Sequence, residues 1–254
     1  MSGWRSWDTE LCMLHAGKVG AKMKQVKLTV DAAMAVLLPL LMAYSLLGEM
    51  LHEILGTAML VLCITHHILN RRWYGALRKG VYGPRRTCQT ILDLLLLTVL
   101  LLQPISGIIL SKHLYTFLPT LPVSAAARGI HMRCAYWGFV LMSLHAGGHL
   151  LPAAAKLKRK RGLLPAACAI AVAVSLYGTC AFFRRGFPGY LSGMVGFAFF
   201  DFSEPRIRFL LDHLAVMALF MTLGAVITSA LPAQTGEHGE TVSKKESKGG
   251  HCNE

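Results

Sequence analysis

His52 and His66 stand 14 residues apart in one apolar stretch, and His131 and His145 repeat that interval in another. On an α-helix, 14 residues make just under four turns, so both histidines of a pair face one side, about 21 Å apart along the axis. Two such helices side by side present two stacked His–His pairs, each able to bind a metal from both faces. A haem iron with two axial imidazoles needs that arrangement. The repeated interval therefore predicts two non-covalent b haems, with His52 and His131 on one and His66 and His145 on the other. An isolated histidine inside a membrane is costly, which adds weight to a ligand role.

The residues around these histidines carry further expectations. Gly56 lies between the first pair and Gly138 between the second. A glycine on a haem-facing helix lets the flat macrocycle approach the backbone. Small residues are equally common where membrane helices pack closely, so the glycines alone leave both readings open. His67 is adjacent to His66 but about 100° around the helix, which suits the lipid interface or a propionate contact. His149, one turn beyond His145 on the same face, can compete with it as ligand or bind a propionate. His113 falls in a loop and reads as solvated.

The second stretch ends in Asn70-Arg71-Arg72-Trp73-Tyr74. Arginines at headgroup level and aromatics in the belt form an interfacial anchor. Arg71 or Arg72 would also neutralise haem propionates, and Trp73 and Tyr74 could edge a quinol pocket. Asp31, Asp93 and Asp212 stand near span ends, where carboxylates usually reach water or cap a helix.

These residues need a membrane scaffold, and the composition supplies one. Of 254 residues, 54% are hydrophobic and 15% charged, with a mean hydropathy of +0.49. Six stretches are long enough, or nearly so, to cross about 30 Å of hydrocarbon as helices. They fall near Val30–Leu47, Leu51–Leu69, Thr90–Ile109, His131–Leu151, Leu163–Phe183 and Phe209–Ala230. The expected fold is an all-α, polytopic membrane bundle of six transmembrane helices. It comprises a basic segment at 1–29, a four-helix di-haem core at 30–151, two further spans at 152–230 and a disordered tail at 231–254.

The formal charge of +13 invites a nucleic-acid reading, but its distribution favours a membrane surface. With the amino terminus inside, 19 of the 26 Lys and Arg residues fall on that side. Lys112, Arg128, Arg133, Arg184, Arg185, Arg206 and Arg208 fall on the other. This bias places both termini in the cytoplasm of a bacterial inner membrane. Residues 1–29 lack the apolar core and cleavage site of a signal peptide, so the first span is expected to anchor the chain.

With that topology spans two and four run parallel. His52 and His131 then share the outer level, and His66 and His145 the inner. A faint duplication accompanies this: Asp31, Gly48 and two histidines in one half, Asp93, Ser106-Gly107 and two histidines in the other. Seven cysteines are scattered without a Cys-x-x-Cys pair, which leaves covalent c-type haem and zinc ribbons unsupported. Most are expected to be small packing residues.

At these positions the chain resembles the flavinylation-associated cytochromes of bacterial membranes. The first half of that pattern is Asp31, Tyr44, Gly48, His52-Glu53, Gly56, His66 and Asn70-Arg71-Arg72-Trp73. Ser106-Gly107, His131 and His145-Ala146-Gly147-Gly148-His149 look like the second half. The likeness covers about residues 30–150, and Tyr190 to Met217 carries it more weakly. It implies a b-type cytochrome moving electrons across the membrane toward an extracytosolic flavoprotein that carries FMN. No flavin-binding or Rossmann fingerprint is present in this chain, so flavin and reductant, a quinol or cytoplasmic donor, would come from partners. A haem-free transporter or a scaffold subunit of a membrane complex is the alternative from another class.

Overall fold

The computed structural model describes residues 4–117, 124–150, 163–198, 201 and 203–232. Nine helices occupy them: α1 (Trp4–Met42), α2 (Tyr44–Leu47), α3 (Glu49–Leu69), α4 (Arg72–Ala76), α5 (Pro84–Leu110), α6 (Ser124–Gly148), α7 (Leu163–Arg184), α8 (Phe187–Ser192) and α9 (Arg206–Ala230). No strand occurs among the described residues. The expected end of the fourth span at Leu151, the basic run Lys156–Arg161 and the tail from 233 lie outside them.

Leu-, Val-, Ile- and Ala-rich runs can cross lipid only as helices, because every backbone polar group must bond within its own segment. Side-chain hydroxyls follow the same rule. Thr57, Thr65, Thr98, Ser143 and Thr179 each donate to the carbonyl four residues earlier. Large apolar side chains such as Val36, Ile64, Ile91, Ile170 and Val226 point outward. In a chain of this composition such outward faces meet lipid. The protein is a multi-pass, all-α membrane bundle.

Among the described residues, five helices are long and apolar enough to cross a membrane, at Gly20–Met42, Glu49–Leu69, Pro84–Leu110, Pro165–Arg184 and Arg206–Ala230. The expected sixth, α6, has the length, at 25 residues, but not the apolarity. The reason is its position. Phe139 through Ser143 are buried consecutively, so protein covers every face of α6 at that depth. A helix enclosed by protein can carry Arg128, His131, Arg133 and His145 without exposing them all to lipid.

The first span also differs from expectation. The helix that carries it, α1, ends at Met42, five residues before the expected Leu47 and three past Pro39. A proline removes one helix hydrogen bond and crowds the preceding turn. After the short α2, Gly48 turns the chain with φ of 81°, a conformation glycine adopts without steric cost.

The helices associate in pairs. α1 packs along α3 and α5 along α6, while α9 lies against both α6 and α7. Glycines set the closest crossings. A methyl group at Gly147 would collide with the Met221 carbonyl, and one at Gly224 with the Leu144 carbonyl, so α6 and α9 exchange small residues. Between the α1/α3 pair and the α5/α6 pair, contact is sparse. The two histidine-bearing helices, α3 and α6, face each other across this thinly packed seam.

Candidate functional site

At the level expected to be outer, α3 presents His52 and α6 presents His131, with ring centroids 6.2 Å apart and planes at 74°. A metal bonded to two imidazole nitrogens at about 2.0–2.1 Å each places the ring centroids about 6 Å apart. The His131 ring is seated by α5. Its Nδ1 lies 3.2 Å from the Gln103 carbonyl and 3.3 Å from Ser106 Oγ. Gly107 makes room beside it, since a Cβ there would come within 3.1 Å of His131 Cε1. His52 packs edge-on against Tyr44 at 5.1 Å.

This level also concentrates unpaired polar atoms. Among the described residues, three buried side-chain polar atoms lack a partner: His52 Nδ1, Gln103 Oε1 and Ser175 Oγ. Two of the three belong to the outer histidine site. An orphaned buried nitrogen costs about 1–3 kcal/mol, and a metal would remove that cost only by binding through Nδ1 itself. The donor set, neutral imidazoles on facing helices, fits an axially ligated haem.

A loop closes over this end. The Glu53 carboxylate accepts hydrogen bonds from the backbone N–H groups of Lys112, His113 and Leu114 at 2.8, 3.2 and 2.9 Å, and from Ser111 Oγ at 2.7 Å. Tyr115 Oη and Thr57 Oγ1 lie 3.0 Å apart. Lys112 Nζ reaches Glu49 at 2.6 Å, and Tyr44 Oη donates to the same carboxylate oxygen. The loop is thus tied to α3 one residue from His52.

At the level expected to be inner, each histidine meets a carboxylate. His66 Nδ1 lies 2.8 Å from Asp31 Oδ1, and His145 Nδ1 lies 2.7 Å from Asp93 Oδ1. Such a bond places the ring proton on Nδ1 and leaves Nε2 with a free lone pair for a metal. Asn70 Nδ2 sits 3.4 Å from His66 Nε2, consistent with that tautomer, and Lys27 Nζ holds the Asn70 carbonyl oxygen at 2.9 Å. No ring contact joins His66 to His145 among the described residues. The two rings remain 26% and 25% exposed.

No family model, curated protein or solved structure matches this chain.

The remaining sequence-derived candidates fall as follows. His149 touches His145, with ring centroids 4.7 Å apart, and lies within electrostatic reach of Asp31 and His66. It carries no carboxylate partner of its own among the described hydrogen bonds. His67 Nδ1 is 2.9 Å from Tyr74 Oη, which directs that ring toward the interfacial aromatics. Trp73 stacks edge-on against Tyr74 at 5.1 Å. Arg72 is exposed at the start of α4 and makes no ion pair among the described residues. Gly56 borders open space, whereas Gly138 is buried with Val99 Cγ1 3.3 Å from where its Cβ would be. The packing reading thus fits Gly138, and close approach by a planar group fits only Gly56. No three His, Cys, Asp or Glu side chains converge among the described residues; the histidines come in twos.

Two expectations are corrected. Asp31 and Asp93 lie inside α1 and α5 as histidine partners, and neither caps a helix. Asp212 is fully buried in α9, bonded by Tyr177 Oη at 2.6 Å, Arg184 Nη2 at 2.5 Å and Arg185 Nε at 2.8 Å. Arg185 also makes a two-pronged bond to Glu204, at 2.6 Å on each arm. His213, beside Asp212, is buried among Phe139, Phe187 and Phe209. Of the cysteines, Cys63 and Cys134 are buried as packing residues, while Cys88, Cys168 and Cys180 are exposed.

Proposed function

We propose that this protein is a b-type membrane cytochrome that carries electrons across the bilayer through two haems. His52 and His131 would hold the outer haem, and His66 and His145 the inner. The observation that carries this reading is the two-level histidine arrangement. One pair is already at the separation a shared metal requires, and the other has both Nδ1 protons engaged by carboxylates.

Bound haem supplies reversible one-electron chemistry. The chain's own residues orient the ligands and exclude water. Gln103, Ser106 and Gly107 seat His131, and Asp31 and Asp93 fix the inner tautomers. Glu53 pins the outer loop. With a histidine from each helix bound, such a group would supply electron transfer rather than oxygen binding. A quinol or cytoplasmic reductant would donate at the Trp73–Tyr74 end. The acceptor is a flavoprotein outside the membrane carrying FMN, in a bacterial inner membrane with both termini cytoplasmic.

Expression with ample haem, followed by a reduced-minus-oxidised visible spectrum of the purified chain, tests the proposal. A b-type difference band is expected. Its absence would contradict the proposal and favour a haem-free transporter or scaffold.

A further inference from the structure

The two histidine levels differ in the charge that faces them. At the inner level both rings donate to carboxylates, Asp31 at 2.8 Å and Asp93 at 2.7 Å. At the outer level His131 faces the neutral Gln103 carbonyl and Ser106 hydroxyl, and His52 Nδ1 has no partner. The nearest outer carboxylate in sequence, Glu53, acts on His52 through its charge but makes no hydrogen bond to that ring, being held by three backbone N–H groups and Ser111.

We infer that Asp31 and Asp93 make the inner haem site the lower in potential, so that electrons run downhill from the inner level to the outer. The inference rests on the di-haem reading of the site. Two negative carboxylates beside the ligands oppose the arrival of an electron, Asp93 the more strongly because its side chain is 21% exposed against 51% for Asp31. Their hydrogen bonds also raise the basicity of the imidazoles, which stabilises the oxidised metal. Neutral partners at the outer level do neither. The step balances simply. One electron leaves the inner site and arrives at the outer, no bond forms or breaks, and the ring protons stay on Nδ1. Two such steps oxidise one hydroquinone to the quinone, with two protons released on the donor side, and reduce one flavin, with two protons taken up on the acceptor side. Asp31 and Asp93 are positioning residues that act through His66 and His145.

Spectroelectrochemical titration of the full chain in nanodiscs reads this directly. The wild-type protein should show two one-electron waves. Asp31→Asn and Asp93→Asn should each shift the lower wave upward and leave the upper in place, and Asp31→Glu should restore it. His131→Ala assigns the waves independently of those variants. With the outer ligand lost, only the lower wave should remain, even where the Asn variants fail to fold. Retention of the upper wave in His131→Ala, or Asn variants that leave the lower wave unmoved, would overturn the inference. A wild-type chain without haem would overturn the di-haem reading itself.

Discussion

Asp93 Oδ1 accepts a hydrogen bond from His145 Nδ1 at 2.7 Å, joining α5 to α6 at the inner level. Asp31 and His66 make the same bond at 2.8 Å between α1 and α3. Each half of the chain thus pairs the acid of its first long helix with the second histidine of its next. Because each pair of helices is antiparallel, an acid well before the end of one helix, Asp31 in α1 or Asp93 in α5, reaches the depth of a histidine near the end of the other. The repeat that is faint in sequence becomes explicit in these two contacts.

Single alanine substitutions separate the four ligands. His52→Ala or His131→Ala should remove one haem while the inner one stays, and His66→Ala or His145→Ala should do the converse. His149→Ala should keep both, since His145 has the carboxylate that fixes its tautomer. Haem content per chain, measured after extraction, checks each case. A His149→Ala protein with one haem and a His145→Ala protein with two would reverse the inner assignment.

Glu53→Gln should loosen the outer loop. A hydrogen bond to a charged group contributes about 1.5–3 kcal/mol, less where solvent reaches it. Gln cannot accept four bonds with a charged oxygen pair. Hydrogen exchange at the Lys112, His113 and Leu114 amides should accelerate at least tenfold, while amides in the middle of α6 remain protected. Unchanged exchange at those three amides would show that the carboxylate does not hold the loop.

Gly147→Ala and Gly224→Ala should destabilise the α6–α9 crossing, because each new methyl meets a backbone carbonyl rather than a movable side chain. Overpacking of this kind costs about 1–3 kcal/mol. Gly56→Ala, where nothing lies within 4 Å, should leave thermal stability in detergent unchanged. If planar haem passes close to Gly56, that variant should lower haem occupancy instead.

The Arg185–Glu204 bond gives stability a pH dependence. The hydrogen bond from Arg185 lowers the Glu204 pKa below its ordinary 4.5. Its stabilisation is complete above that ordinary value and is lost as pH falls through the lowered one. Melting temperatures recorded from pH 6 to pH 3 should fall at the acid end in the wild-type protein. Glu204→Gln should start lower and show a shallower acid decline. An identical acid slope in the two proteins would rule out this contribution.

The helices were legible because long apolar runs in lipid have one solution, and the 14-residue interval was legible because it is a property of one helix at a time. What escaped the sequence depends on which helices are neighbours. The Asp31–His66 and Asp93–His145 bonds span 35 and 52 residues, and only a depth argument across antiparallel helices could have found them. Glu53 is named in the sequence only as part of the His52-Glu53 motif; its role in holding the loop is not legible there, because its partners are mostly backbone groups that no side-chain pattern reports. The modest apolarity of α6 passed for that of a lipid-facing span until the structure placed it at the centre. Asp212 near a span end gave no sign that two arginines would fold over it.

The most direct test is the haem-to-polypeptide ratio of the purified wild-type chain, taken with the low-spin electron paramagnetic resonance of its ferric form. Two haems per chain, each with the signature of two imidazole ligands, is the predicted result. A chain that stays colourless when expressed with ample haem, or binds a single haem that survives in all four histidine variants, would contradict the account.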